Sequence, residues 1–109
     1  MKLPATVEVG PHRYRISCPN HDLEGDDCSG RTQNLQLVIQ VRNDRPHTAV
    51  ADTLLHELLH AVAHVAGFVQ SADETETLED VISRLSSPLL DTLRRNPDLV
   101  AFLTATSEG

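Results

Sequence analysis

The chain has 109 residues, 39% of them hydrophobic, and sixteen acids against nine lysines and arginines give a formal charge of -7. That length supports one hydrophobic core and no second, so residues 1–109 read as a single domain. The acidic balance and the scattered basic residues exclude phosphate gripping as the main task, so no nucleic-acid partner is expected. No apolar run reaches membrane-spanning length, and MKLPATVEV lacks a basic segment followed by an apolar block; the expected setting is cytoplasmic.

Residues 5–9 and 12–17 alternate and are separated by Gly10-Pro11, which reads as two short strands joined by a tight turn, with Tyr14 and Ile16 on one face. A polar loop is expected from Pro19 to about Gln33. It holds Cys28 and follows Cys18, and without other signs of secretion both are expected as free thiols. A second metal site from Cys18, His21, Cys28 and nearby His12 is the weaker reading, because Asp22, Glu24, Asp26 and Asp27 make the segment look like a solvated acidic loop. Leu35, Leu37, Ile39 and Val41 then alternate with more polar positions as a half-buried strand.

Asn43-Asp44-Arg45-Pro46 breaks that strand and leads into a helix over residues 48–68, apolar almost all round and therefore expected to be buried, with Gly67 near its end. Ser71-Ala-Asp-Glu74 has capping-box spacing and opens a second helix in which Leu78, Val81, Ile82, Leu85 and Leu89 recur at helical intervals. Pro88 predicts a kink or break, with a further helical piece over 89–95. Asn96-Pro97 starts a last short helix to about Thr104. The expected fold is α+β: a small, three-stranded, largely antiparallel sheet packed on two helices, with a short C-terminal helix.

The long helix contains His56-Glu57-Leu58-Leu59-His60. Histidines four apart lie about one helical turn from each other, so both imidazoles can reach one ion. Glu57 is rotated by roughly 100° from His56, to the flank of that face, where it can take a proton from water that the ion activates. In a buried helix such polar groups need partners, and metal ligation would supply them. The competing reading is a chance match whose histidines bond to backbone or carboxylates.

A catalytic zinc takes three protein ligands, so a third is needed. His64 lies about 12 Å from His56 along a continuous helix, too far to share one ion at bond lengths near 2.1 Å. A carboxylate on the second helix is the alternative. Glu74, Glu76, Glu79 and Asp80 fall in its first turns, where acids also suit the helix dipole. Glu79 stands at helical spacing from Ile82, Ser86 and Leu90, on the flank of the packing face, and ranks ahead of Glu76.

On these motifs the chain resembles a minimal gluzincin, a zinc metallopeptidase with a histidine pair on one helix and a glutamate on the next. Within that class it is similar to short phage- and prophage-encoded zincin-like proteins, and more distantly to ImmA/IrrE and SprT-like peptidases. The resemblance covers roughly residues 34–103: LQLVIQV, TLLHELLHAVAH and ETLEDVISRLSSPLL running into DTLRRNPDLVAFL. It implies Zn²⁺ held by His56, His60 and Glu79, Glu57 as general base and acid, and a peptide or protein substrate, which could pair with residues 35–41 at a sheet edge. Many gluzincins place a tyrosine, histidine or arginine after the ligands to stabilise the oxyanion. No tyrosine follows the motif here, and Tyr14, His64 and Arg84 are the stand-ins. The rival expectation is a zincin scaffold kept as a structural or assembly component of a phage virion, self-assembling or bound to other virion proteins, with little peptidase activity.

Overall fold

The structure, a computed structural model, describes residues 2–18, 29–67 and 77–106, and the side chains of all of these but Leu78 and Glu79. The expected capping box at Ser71–Glu74 and the expected thiol Cys28 lie outside the described residues, as does His21. Seven elements follow in order: β1 (Thr6–Val9), β2 (His12–Ser17), β3 (Gly30–Gln33), β4 (Val38–Val41), α1 (His47–Val65), α2 (Leu78–Arg95) and α3 (Pro97–Thr104).

The four strands form one mixed sheet in the order β1-β2-β4-β3. This corrects the expectation of a three-stranded, largely antiparallel sheet. β1 and β2 are antiparallel, with Val7 opposite Tyr14, and β3 and β4 are antiparallel, with Thr32 opposite Ile39. β2 and β4 are parallel, pairing Ile16 with Ile39. The strand that periodicity did not show is β3, inside the expected loop. Its sequence, GRTQ, is half-buried at all four positions, so it carries no alternation to read. One extra reversal of the chain between β2 and β4 makes those two run the same way.

The apolar run at 35–41 is only partly strand. Residues 34–37 turn, and Leu37 has φ 58°, a left-handed conformation that ends any extended strand. Leu35 is left 90% exposed at the turn, while Val38, Ile39 and Val41 are buried. β4 lies between β2 and β3, so the segment expected to offer an edge to a peptide is internal. At the other side of the sheet β1 is covered. The Asn96 amide accepts from Glu8 N at 2.8 Å and donates to Glu8 O at 2.9 Å, occupying the main-chain groups of that residue as a neighbouring strand would.

Val7, Val9, Tyr14, Ile16, Ile39 and Val41 of the sheet pack against Val50, Leu54, Leu58, Ala61 and Val62 of α1 and Leu99 and Phe102 of α3. Each fully buried aliphatic side chain contributes about 1.5–3 kcal/mol. Gly10 (φ 57°) closes the β1–β2 turn and lets α1 approach it, since a Cβ there would come 2.5 Å from Val65 Cγ1. α1 is buried along one stripe and not all round: Leu55, His56, His60 and His64 are exposed. The expectation that His56, His60 and His64 are buried polar groups in need of partners is thereby corrected.

α2 begins at the N-cap Thr77, whose hydroxyl and main-chain N–H exchange bonds with Asp80 in a capping box. The helix runs through Pro88 without the expected break. Pro88 forfeits one helical hydrogen bond, and the half-buried Leu85 and Leu89 pack on the core to either side of it, which offsets that loss. The side chain of Thr92 bonds Pro88 O at 2.8 Å within the same helix. α3 matches the sequence reading, with Pro97 at its start and Thr104 at its end. No described helix is long and apolar enough to cross a membrane.

Candidate functional site

Two features of the sequence position the site. The heptad-like apolar spacing of Leu54, Leu58, Ala61 and Val62 seats α1 on the sheet, which turns His56 and His60 outward and Glu57 sideways. The hidden strand β3 then lies against the side of α1 that carries Glu57. An open cleft of about 440 Å³ results, lined by Gly30, Arg31, Thr32, Asn34, His56, Glu57 and His60.

His56 Nε2 and His60 Nε2 are 3.3 Å apart, with ring centroids 4.9 Å apart and planes at 67°. This is a hydrogen bond between the two rings, and its length matches the separation of about 3.3 Å expected for two nitrogens about 2.05 Å from one tetrahedral ion. Glu57 is 7% exposed. Its carboxylate Oε1 lies 3.0 Å from Thr32 Oγ1, and its main-chain oxygen lies 2.8 Å from the same hydroxyl. Among the described residues no buried side-chain nitrogen or oxygen is left without a partner.

Among those residues, no third histidine, cysteine, aspartate or glutamate joins the pair. The two carboxylates read from the sequence fall elsewhere: Glu76 lies outside the described residues, and Glu79 is on the first turn of α2 with its side chain outside them. Two imidazole nitrogens at chelating distance are donors of the kind zinc accepts, and the Glu57 carboxylate lines the same cleft without joining them as a third donor.

The stand-ins for an oxyanion donor are occupied or remote. His64 is exposed one turn beyond His60. Arg84 Nη2 donates to Gly67 O at 3.3 Å. Tyr14 is fully buried, and its hydroxyl donates to Asn34 Oδ1 at 2.8 Å. Burial pushes the Tyr14 phenol above its ordinary value. It is linked to the cleft through Asn34, a lining residue whose side-chain oxygen it holds.

Sequence reasoning therefore missed Gly30, Arg31, Thr32 and Asn34. The available signals were weak: a glycine, a β-branched threonine and a turn-forming asparagine in a segment without apolar residues. A second cavity, of about 360 Å³, is lined by Lys2, Leu3, Cys18, Asn43, His47, Val50 and Phe102. Cys18 there is a free, half-buried thiol whose pKa burial raises. A raised pKa makes a thiol a poorer nucleophile and ligand at neutral pH, so this cavity is the weaker candidate. Comparison with family models, with curated proteins and with solved structures returns no match.

Proposed function

We propose that the cleft is the centre of a zinc-dependent peptidase of gluzincin type, with His56 and His60 as two metal ligands, Glu79 as the third and Glu57 as general base and acid. The observation that carries this reading is the 3.3 Å separation of the two Nε2 atoms in a cleft that also holds the Glu57 carboxylate. Zinc bound there would supply the Lewis acid for the attacking water and the scissile carbonyl. The chain's own residues do the rest. Glu57, screened from bulk water and held on Thr32, accepts the proton of the attacking water and returns it to the leaving amine. Asn34, its oxygen held by Tyr14, presents an amide N–H that can orient a peptide carbonyl. The substrate class is a peptide or protein segment that can enter an open cleft.

A second reading is a zincin scaffold without hydrolysis, a structural or assembly component of a phage virion. What supports it is the engagement of Arg84 with Gly67 and of Tyr14 with Asn34, which leaves neither to act directly on an oxyanion. Glu57→Gln separates the two. The substitution keeps the volume and removes the base, so a peptidase keeps stoichiometric zinc and loses about 10²–10⁴ in cleavage rate on a peptide library. Equal cleavage by wild type and Glu57→Gln would reject the peptidase reading.

A further inference from the structure

We infer that Thr32 is a positioning residue for Glu57, fixing the carboxylate at the edge of the cleft; this rests on the reading of Glu57 as the proton-transfer group. A threonine hydroxyl has one proton, and Thr32 Oγ1 has two acceptors of the same residue in reach, Glu57 O at 2.8 Å and Glu57 Oε1 at 3.0 Å. The main-chain oxygen belongs to the hydrogen-bond ladder of α1, which spans both Glu57 and the residue four further on. That oxygen, although the nearer of the two, is already served by the ladder, whereas Oε1 relies on Thr32, so the hydroxyl proton goes to the carboxyl oxygen. Oε1 is then anchored and Oε2 is the oxygen left for proton transfer.

The partner strand is shaped for the same task two residues earlier. Gly30 and Thr32 share a face of β3. A Cβ at Gly30 would come 3.2 Å from Glu57 Cγ, 2.9 Å from Thr53 Cγ2 and 2.8 Å from Gln40 O. Gly30 therefore admits the stem of Glu57 against the strand, and Thr32 holds its head. The register that sets this height is secured by the pairing of Thr32 with Ile39, which is fully buried, so a slip of β3 would be costly. Glutamate is a side chain of high rotamer freedom, and each rotamer that leaves the cleft is an unproductive one.

The experiment uses the full-length chain with Thr32→Val, which keeps shape and β-branching without the hydroxyl, and Thr32→Ser, which keeps the hydroxyl. Without metal, urea unfolding is measured for Thr32→Val in the wild-type and Glu57→Met backgrounds. The fall in midpoint caused by Thr32→Val should shrink to less than about half in the second background; an equal fall in both overturns the inference. With zinc, Thr32→Val should keep the zinc dissociation constant and KM within about threefold while kcat falls about 10–100-fold, and Thr32→Ser should recover most of it. Wild-type kcat in Thr32→Val, or loss of zinc together with kcat, also overturns it. If Thr32→Val does not fold, Thr32→Ala against Thr32→Ser gives the same comparison. A wild-type protein that cleaves no better than Glu57→Gln rejects the peptidase reading alone, and the unfolding cycle still decides whether Thr32 holds Glu57.

Discussion

His47 and the pair His56 and His60 belong to one helix and use the same side chain in opposite ways. His47 is 5% exposed; its ring packs on Phe102 with centroids 4.6 Å apart, and its Nε2 donates to Phe102 O at 2.9 Å. A carbonyl only accepts, so that bond fixes the tautomer and ties the start of α1 to α3. His56 and His60 are exposed, and their Nε2 atoms face each other across 3.3 Å at the cleft. A histidine whose nitrogen serves a main-chain carbonyl is a fastening, whereas two whose nitrogens converge at an open cleft are the pair proposed to hold the metal. Spacing along the helix separates them only in part, because burial at His47 comes from α3.

Substitutions should break the comparison cleanly. The largest effect is expected for His60→Ala, which should abolish stoichiometric zinc in equilibrium dialysis and remove any zinc-induced rise in Tm. His47→Ala should instead keep the zinc stoichiometry and lose about 2–4 kcal/mol of unfolding free energy, from a cavity beside Phe102 and an orphaned carbonyl. Zinc loss in His47→Ala would erase the distinction. Next comes the third ligand. Glu79→Gln should lower zinc affinity by about tenfold or more, while Glu76→Gln and His64→Ala should leave it nearly unchanged. Competition against a chromophoric chelator reads this directly, and loss of zinc in His64→Ala but not in Glu79→Gln would overturn the gluzincin assignment.

The smallest effect contrasts the starts of the two long helices. α1 begins after Pro46 with no side-chain cap and no acid in its first turn, and the buried His47 secures it. α2 begins with a capping box in which the Thr77 main-chain N–H, and next its hydroxyl, hold the Asp80 carboxyl below its ordinary value. A pKa lower in the folded than in the unfolded chain stabilises above the unfolded value and is lost as pH falls through the folded one. Asp80→Asn should therefore lower the urea midpoint at neutral pH, and the difference from wild type should begin to shrink below about pH 4 and be lost as pH falls through the lower, folded pKa. A difference that persists in acid would show that Asp80 acts by something other than its charge.

The same contrast between local and borrowed support explains what could be read in advance. α3 was legible because Asn96-Pro97 marks its start chemically, and α1 because its apolar stripe persists for several turns. Leu37 was misread because its place in an alternating run says strand while its φ of 58° ends one, and the turn around it is held by neighbours: Tyr14 bonds Asn34, and Arg15 N donates to Leu37 O at 2.9 Å. The break that Pro88 could have made is absent because its cost is local, whereas the packing of Leu85 and Leu89 against the core is tertiary.

By itself the sequence determined the spacing that puts His56 and His60 on one face of a helix and Glu57 on its flank, since these follow from 3.6 residues per turn wherever that helix lies. It also determined that the domain would be α+β, because its two hydrophobic periods, near two and near 3.6, fall in separate halves of the chain. Tertiary structure alone decided that GRTQ is a strand, because a polar edge strand takes its order from the ladder to β4 and not from any pattern of its own. That strand made the β2–β4 pair parallel, and it brought Gly30 and Thr32 against Glu57. Only packing against the sheet could turn an acid on an otherwise readable helix into one that is buried, anchored and beside a pair of converging imidazoles.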